Sequence, residues 1–240
     1  MRFRIFRNAV AYPQSLMKTV VSILLVLLLS AFSAEAKTKH SRSKSKSKKT
    51  VRTVTKNISA SPFSTVVVDA GHGGHDPGGI PQNIVQEKGM TLDVALRLSK
   101  ALQRAGFKTI LTRRDDTFIP LDTRVAIANA HPEAIFVSIH FDASPRSGAC
   151  GIDAHYASPG EAPLAAMIQR HLMTTTNGTN RGIKTARFCV LRKTRGRAVL
   201  AECGFLTNPH DAAMARRASY RQKLAEQICA AIVEYRNSLI

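Results

Sequence analysis

Two hydrophobic periodicities alternate along the chain from residue 63 onward. Short apolar runs, typical of buried strands, occur at 65–69, 107–111, 134–139, 151–156, 188–191 and 198–201. Apolar residues at helical spacing occur at 89–105, 121–130, 162–173 and from Tyr220 to Tyr235. Asn208 and Pro209 indicate one further helix start, with a capping residue before a first-turn proline. Strands that alternate with helices predict an α/β sandwich with a largely parallel sheet.

A different pattern occupies the first 36 residues. Basic residues up to Lys18 precede an apolar run at 20–32, and Ser33-Ala34-Glu35-Ala36 follows it. A basic start, a short apolar stretch and a small-residue exit make up a secretory signal peptide, here expected to be cleaved after Ala36. The alternatives are an uncleaved membrane anchor and a true start at Met17. In each case we expect the folded part outside the cytoplasm, in the periplasm.

Residues 37–60 form a basic linker in this interpretation, and the folded domain occupies 61–240. The linker has nine Lys or Arg residues, no acidic residue and almost no apolar content, so we expect it to be disordered. It is either a solvated spacer or a segment that adheres electrostatically to anionic lipid or wall polymer. Neither an internal repeat nor a second domain follows it.

Most of the net charge of +19 comes from the first 60 residues. The chain has 35 Lys and Arg residues against 16 Asp and Glu, but 13 of the basic residues and one acidic residue lie in 1–60. The rest of the chain carries 22 basic and 15 acidic residues, a charge of only +7. With no Trp and few aromatic residues for base stacking, this composition gives weak support to nucleic-acid binding, and export argues further against it.

All four cysteines follow the predicted signal peptide, in a compartment where disulfides can form. Cys150, Cys189, Cys203 and Cys229 allow three pairings, and the sequence does not choose among them. No C-x-x-C pair is present, which argues against a zinc site built on thiolates. Cys203 is interpreted as a packed thiol or a half-cystine, since neighbouring residues of a strand face opposite ways.

Groups that can bind a metal or transfer a proton follow three of the predicted strands. A loop with two histidines, 70–79, comes after the first strand, and His140 stands at the end of the third. Glu202 follows the apolar run 198–201. In open α/β sheets, sites form beyond the carboxyl ends of the strands, so we expect these groups at one edge of the sheet.

The loop Gly71-His-Gly-Gly-His-Asp-Pro-Gly-Gly79 favours a cation over a phosphate. Its glycines do not match G-x-G-x-x-G, and it lacks the Lys and Ser/Thr of a P-loop. Two histidines and one carboxylate with an open position are a common catalytic zinc arrangement. His72 and His140 supply the imidazoles, and Glu87 is the favoured carboxylate. Other candidates remain open: Asp69, Asp76 and Asp142 for the carboxylate, and His75 in place of His72.

Several ordered motifs between Ser64 and the C-terminus resemble the zinc-dependent N-acetylmuramoyl-L-alanine amidases of the type 3 family. They are 67–79, Glu87 ahead of a helix rich in Leu and Ala, Thr112-Arg113 with Asp115-Asp116, 121–129, 138–143 and 201–208. Phe141 departs from the pattern, because the family commonly has a small residue there, and we expect an altered pocket floor. The strand at 151–156 is atypical as well, and His155 could be a spare polar contact in it.

The resemblance implies a single mixed, mostly parallel six-stranded sheet flanked by helices. It also implies one Zn²⁺ ion bound by His72, Glu87 and His140, with Glu202 as the catalytic residue. The implied reaction is hydrolysis of the amide between N-acetylmuramic acid and L-alanine of peptidoglycan stem peptides, in cell-wall remodelling, septum cleavage or recycling. Zinc polarises a carbonyl and lowers the pKa of bound water to about 7, and a neighbouring carboxylate can take that proton and return it to the leaving amine.

Other interpretations remain open for the roles of Glu202 and Arg124 and for the function of the whole domain. A buried salt bridge with Arg124 is the structural interpretation of Glu202, and we expect Arg124 to hold the fold rather than to touch substrate. The domain could instead be a zinc peptidase that cuts another bond of the stem peptide, or a wall-binding module without catalysis. The segment 157–187 is too short for both a connection and a helix that blocks the cleft. We therefore expect that the domain needs no obligatory activator. We also expect it to be a monomer.

Overall fold

A six-stranded sheet lies at the centre of the residues that the computed structural model describes, 62–79, 86–146 and 148–240. The strands are β1 (Thr65–Ala70), β2 (Lys108–Leu111), β3 (Ile135–Asp142), β4 (Ile152–Tyr156), β5 (Asn180–Thr185) and β6 (Arg197–Phe205). The helices are α1 (Glu87–Arg104), α2 (Leu121–Asn129), α3 (Ala162–Leu172), α4 (Cys189–Lys193), α5 (Pro209–Arg216) and α6 (Ala218–Asn237), with a 3₁₀ turn at Pro159–Glu161. None of these helices combines the length and the apolar composition that a bilayer crossing requires. The predicted signal peptide and linker, 1–60, lie outside the described residues.

The strand order is β2-β1-β3-β6-β4-β5. The first four strands in this order are parallel to one another, β4 is antiparallel to β6, and β5 is parallel to β4. The prediction of a mixed, mostly parallel six-stranded sheet is therefore confirmed. Because β1, β3 and β6 are neighbours with the same direction, their carboxyl ends lie side by side, which is where sites form in sheets of this kind.

Helices cover both faces of the sheet, so its middle strands are almost continuously apolar. Every residue of β1 and of β6 is buried. On one face, α1, α3 and α6 contribute core residues such as Leu98, Ile168 and Ile228. On the other face, α2 and α4 contribute Val125 and Leu191. These two smaller helices form the layer beside the candidate site.

Two predictions in the C-terminal half are wrong. Residues 188–191, expected as a strand, lead into helix α4, in which Val190 and Leu191 are buried while Arg192 and Lys193 are exposed. Four residues are too few for their spacing to separate a strand from a helix. The missing strand is β5, whose first residues belong to a stretch, 174–182, that is rich in residues favouring loops. β5 lies at the edge of the sheet, and an edge strand tolerates polar residues that hide it from sequence analysis.

The remaining elements agree with the predictions apart from their bounds. Helix α1 begins at Glu87, two residues before the predicted start. The strand expected at 198–201 extends to Phe205, so Glu202 lies inside β6. The cap at Asn208 is confirmed, because its Oδ1 accepts hydrogen bonds from the backbone N–H groups of His210 and Asp211, at 3.0 and 3.2 Å. Residues 157–187 are used by the 3₁₀ turn, α3 and β5.

The four cysteines, whose pairing the sequence left open, are free thiols. Cys203 is fully packed in the core, and burial raises the pKa of its thiol. It therefore behaves as a small hydrophobic side chain, in agreement with the first of the two interpretations of this residue.

A buried polar network fixes the carboxyl end of β1. Asp69 is 1% exposed, and its Oδ1 accepts hydrogen bonds from Arg124 Nη1 and Thr112 Oγ1, both at 2.7 Å. Its Oδ2 accepts a third hydrogen bond from Ser138 Oγ, also at 2.7 Å. The carboxylate therefore joins β1 to β3, to α2 and to the segment after β2, and each of its oxygens is satisfied.

Arg124 carries this network into the loop after β1. Its guanidinium donates to the carbonyl oxygen of Ala70 and, at 2.7 Å, to that of His72. Its ion pair is with Asp69, so the interpretation that paired it with Glu202 is wrong. Arg124 acts on the site through the backbone of the loop that it holds.

Arg113 ties the same loop to helix α1. Its guanidinium donates to the carbonyl oxygens of Ala70, Gly71 and Lys88, at 3.0, 2.7 and 2.8 Å. Thr91 Oγ1 donates to the Gly71 carbonyl at 2.7 Å. Because Lys88 and Thr91 belong to the start of α1, the loop and the helix are held together.

We predict that Asp69→Asn lowers the free energy of unfolding by about 3–5 kcal/mol, because it leaves the buried Arg124 guanidinium without its counter-charge. Urea titrations of the parent and the variant measure this change. The control is Asp122→Asn, which removes an exposed ion pair with Lys193 and should leave the midpoint nearly unchanged. Equal midpoints for the two variants would contradict the role of the network.

Candidate metal centre

His72 lies in a strained turn that follows β1. Its φ is 60°, in the left-handed region that residues with a Cβ rarely adopt. The turn closes through reciprocal backbone hydrogen bonds between Gly73 and Asp76, at 2.9 and 3.1 Å. The hydrogen bond from Arg124 to the His72 carbonyl helps to hold this conformation. Strain of this kind persists where the surroundings over-determine it, as they do at functional sites.

Two glycines of the loop are required by the close approach of other side chains. A Cβ on Gly71 would lie 2.3 Å from Cε1 of His140. A Cβ on Gly78 would lie 2.5 Å from Oε2 of Glu87 and 2.7 Å from Cδ2 of His72. The glycine-rich sequence therefore lets three side chains pack directly on bare backbone.

The three candidate ligands meet at Glu87. This residue begins α1 and is buried, and its Oε1 lies 3.0 Å from His72 Nε2 and 3.0 Å from His140 Nδ1. One possible ligand atom from each of the three side chains lies within 4.8 Å of the other two. The backbone N–H groups of Phe141 and Gly79 also donate to the carboxylate, at 3.1 and 2.8 Å. The structure thus brings together the three residues that the resemblance implies as metal ligands.

The charges of this cluster stabilise one another despite burial. Burial alone would raise the pKa of Glu87, but the hydrogen bonds and charges of His140 and His72 hold that pKa well below its usual range. Burial alone would lower the pKa of His72, but Glu87 and Asp76 together raise it. Oδ2 of Asp76 lies 2.9 Å from Nδ1 of His72, so a proton on Nδ1 leaves Nε2 directed at Glu87.

The donor set fits zinc. Two imidazole nitrogens and one carboxylate oxygen are the protein ligands of a common class of catalytic zinc sites, which keep a further position for water or substrate. A carboxylate that holds the outer nitrogen of a ligating histidine, as Asp76 does, is the usual support of such a site. His72, Glu87 and His140 can therefore hold one zinc ion.

Glu202 lies beside this cluster and is buried on β6. It is the register partner of His140 on β3 and of Asp153 on β4, so the three side chains share one face of the sheet. Its Oε2 is buried and has no hydrogen-bond partner among the described residues. Burial, followed by the charges of Glu87 and Asp142, raises the pKa of Glu202 well above its usual value. A carboxyl group in this state can both accept and donate a proton.

The other groups considered as ligands lie outside the cluster. The ring of His75 packs at a tilt against that of Phe118, with 4.0 Å between centroids. Asp69 belongs to the buried network, and Asp76 holds the first imidazole from outside. Asp142 accepts a hydrogen bond from the neighbouring backbone N–H at 2.7 Å and lines a separate depression.

Phe141 and His155, the two departures from the family pattern, have different outcomes. Phe141 is 2% exposed in the core on the α1 face, because it alternates with His140 along β3. The expectation of an altered pocket floor at Phe141 is therefore wrong. His155 is half-buried, with Nε2 3.8 Å from Asp153 Oδ1 and its ring against Phe188 at 5.2 Å between centroids. Burial lowers the pKa of His155, whose ring is covered on one side by that of Phe188.

Sequence analysis missed an apolar cleft of about 420 Å³ that opens between α2 and α4. His72, His140 and Glu202 lie in its wall. Leu121 and Phe188 at the same cleft are large apolar residues that are 56% and 43% exposed. Exposed apolar side chains beside a few convergent polar groups are typical of a ligand site. Nothing in the sequence distinguishes them from core residues, because Leu121 stands at the start of a predicted helix and Phe188 opens an apolar run that predicts a strand.

The sequence and the fold are both similar to known amidases. A family model described as N-acetylmuramoyl-L-alanine amidase matches residues 66–234, a range that includes the three clustered residues and Glu202. The N-acetylmuramoyl-L-alanine amidase LytC of Bacillus subtilis (strain 168) is 35% identical over 175 residues, which cover 71% of this chain and 35% of LytC. The chain thus spans about a third of the length of that relative.

Two solved structures extend the similarity to three dimensions. The N-acetylmuramoyl-L-alanine amidase of Clostridium difficile 630 matches with a TM-score of 0.71 and 33% identity, over 74% of this chain and 99% of that one. The CwlD amidase of Clostridioides difficile, solved in complex with the GerS lipoprotein, matches with a TM-score of 0.69 and 28% identity. That match covers 73% of this chain and 99% of CwlD.

We predict that His140→Ala abolishes tight zinc binding, because it removes one of three convergent ligands. The zinc content of the purified protein, after equilibration with zinc and desalting, is measured by inductively coupled plasma mass spectrometry. The control is His75→Ala, which removes a histidine of the same loop from outside the cluster and should keep the zinc. Full occupancy in His140→Ala, or loss of zinc in His75→Ala, would contradict the assignment.

Proposed function

The chain belongs to the N-acetylmuramoyl-L-alanine amidase family, and on that basis we propose that it hydrolyses the amide between N-acetylmuramic acid and L-alanine of peptidoglycan stem peptides. The observation that supports this most directly is the cluster of His72, Glu87 and His140 with the buried Glu202 beside it. The reaction would serve cell-wall remodelling, septum cleavage or recycling.

One zinc ion is the proposed cofactor, and His72, Glu87 and His140 are its proposed ligands. The chemistry that zinc supplies when bound is polarisation of the scissile carbonyl and acidification of the attacking water. The protein contributes a fixed donor set, since Asp76 orients His72 and two backbone N–H groups orient Glu87. Arg124 and Arg113 hold the loop that carries the first ligand.

Glu202 is the proposed general base and acid. An amide nitrogen is a poor leaving group unless it is protonated as the carbon–nitrogen bond breaks. Glu202 can take a proton from the attacking water and deliver it to that nitrogen, because burial and nearby carboxylates raise its pKa. Its Oε2, which has no hydrogen-bond partner in the described part of the chain, is available for this transfer.

The proposed location is the periplasm, where peptidoglycan is accessible. Segment 1–36 would direct export, and cleavage after Ala36 would release the protein, whereas an uncleaved segment would anchor it. The basic linker 37–60 would then hold the domain 61–240 near an anionic surface through contacts that salt weakens. The protein would act as a monomer on its substrate, without nucleic acid.

We predict that the purified protein, with zinc, releases peptides that begin with L-alanine from isolated sacculi. Mass spectrometry of the products identifies the bond that is cut. Release of terminal D-amino acids with the muramoyl bond intact would instead favour a zinc peptidase, and no release at all would favour a wall-binding module.

Glu202→Gln should keep its zinc and lose about 10²–10⁴-fold in the rate of peptide release, the usual contribution of an acid–base group. Glu133→Gln, an exposed carboxylate at the opposite end of β3, serves as the control and should retain the parent rate. A near-normal rate for Glu202→Gln would mean that another group transfers the proton, with His75 the first to test.

We predict that a protein spanning 61–240 cuts sacculi without any added partner. Residues 157–187 are taken up by the 3₁₀ turn, α3 and β5, which leaves no further length there for a helix that blocks the cleft. The CwlD amidase was solved with a lipoprotein, so a 61–240 protein that stays inactive until a second protein is supplied is the contrary outcome.

A protein spanning 37–240 should bind anionic vesicles more tightly than one spanning 61–240, with a difference that disappears at high salt.

A further inference from the structure

A second depression lies at the carboxyl end of the sheet, beside the candidate metal centre. Its volume is about 410 Å³, within the range of about 300–1,000 Å³ that is usual for ligand pockets. We call it the arginine pocket. Its principal lining residues are Asp142, Ala143, Ser144, Arg146, Arg181 and Phe205.

The arginine pocket adjoins the cluster through β3 and β6. Asp142 and Phe205 are register partners and follow His140 and Glu202 by two and three residues. A Cβ on Gly79 would lie 2.7 Å from the Cβ of Ala143 and 3.5 Å from a carboxylate oxygen of Glu87. A substrate whose reacting bond lay at the cluster would therefore extend toward this pocket.

Arg181 is oriented toward this pocket but only loosely bonded. Its Nε is 3.4 Å from Oδ2 of Asp153 and its Nη1 is 3.4 Å from the carbonyl oxygen of Cys150. The guanidinium carbon lies 4.7 Å from the ring centroid of Phe205, and a third of the side chain is exposed. A guanidinium has five N–H donors, so contacts this long leave it able to bind a carboxylate in bidentate geometry.

The charge around the pocket favours an anionic group. Arg181 contributes one guanidinium to its lining from the edge strand β5. Arg146 adds a second guanidinium from the loop after β3. Asp142 is the opposing charge, and one of its oxygens is already bonded to the backbone N–H of Ala143.

We propose that the arginine pocket binds a carboxylate of the stem peptide, on the residue that follows L-alanine. This inference rests on the proposed function. Arg181 contacts Asp153, the register partner of Glu202, so the pocket and the proposed proton donor lie on the same side of the cluster. The leaving amine and the peptide attached to it must depart on the side of the proton donor. The residue after L-alanine in the stem is a γ-linked D-glutamate, whose α-carboxylate is the nearest anionic group.

The test uses the full-length protein with zinc and two synthetic muramoyl tripeptides. They differ only in that the glutamyl α-carboxyl group is free in one and amidated in the other. The parent should favour the free carboxylate by roughly tenfold or more in kcat/KM, since a hydrogen bond to a charged group is worth at least that factor. The preference should appear mainly in KM, because the contact is remote from the reacting atoms.

Arg181→Gln and Arg146→Gln should each reduce kcat/KM for the carboxylate substrate and leave the amidated one nearly unchanged. Arg146 is exposed, so its variant tests the inference even if Arg181→Gln does not fold. Arg195→Gln, at the opposite end of β6, is the control and should change neither substrate.

The outcomes separate this inference from the proposed function. Equal kcat/KM for the two substrates in the parent, or equal losses for both in the variants, would overturn the carboxylate site while leaving the amidase activity intact. Cleavage of neither substrate by the parent, with full metal loading verified by its zinc content, would overturn the proposed function itself.

Discussion

The buried carboxylate of Glu87 is the group on which the rest of the site depends. It accepts contacts from two imidazoles at 3.0 Å and from two backbone N–H groups, and these come from the loop after β1 and from the end of β3. Burying a charge is costly unless it is paired and hydrogen-bonded, so every one of these partners must be placed by the fold. The strained turn at His72, the glycines on which the rings pack and the Asp69–Arg124 network all follow from that requirement.

The topology of the sheet supplies the remaining chemistry. Parallel pairing of β3 with β6 sets Glu202 level with His140, close to the cluster but outside it. The antiparallel strand β4 then adds Asp153 on the same face, and through it Arg181 on the edge strand. The candidate metal centre therefore lies beside both the apolar cleft and the arginine pocket. A substrate with a sugar on one side of an amide and an anionic peptide on the other matches this arrangement.

The elements defined by burial could be predicted from the sequence, whereas features set by contacts between distant parts of the chain could not. The apolar runs of β1, β3 and β6 identify the centre of the sheet, and the candidate ligands follow from strand ends and from the resemblance. The edge strand β5 is polar because one of its sides needs no partner, and α4 is too short for periodicity to reveal. The direction of Phe141, the pairing of Arg124 with Asp69 and the position of Arg181 depend on register and on contacts distant in sequence, which composition does not encode.

We expect one zinc ion to be held by His72, Glu87 and His140 while Glu202 remains unbound. Anomalous diffraction from crystals grown with zinc, recorded on both sides of the zinc absorption edge, tests it directly. A single anomalous peak is expected within bonding distance of His72 Nε2, His140 Nδ1 and the Glu87 carboxylate, with the Glu202 carboxylate outside that distance. A peak ligated by Glu202, Asp142 or His75, or the lack of any peak at the cluster in crystals that contain zinc, would contradict it.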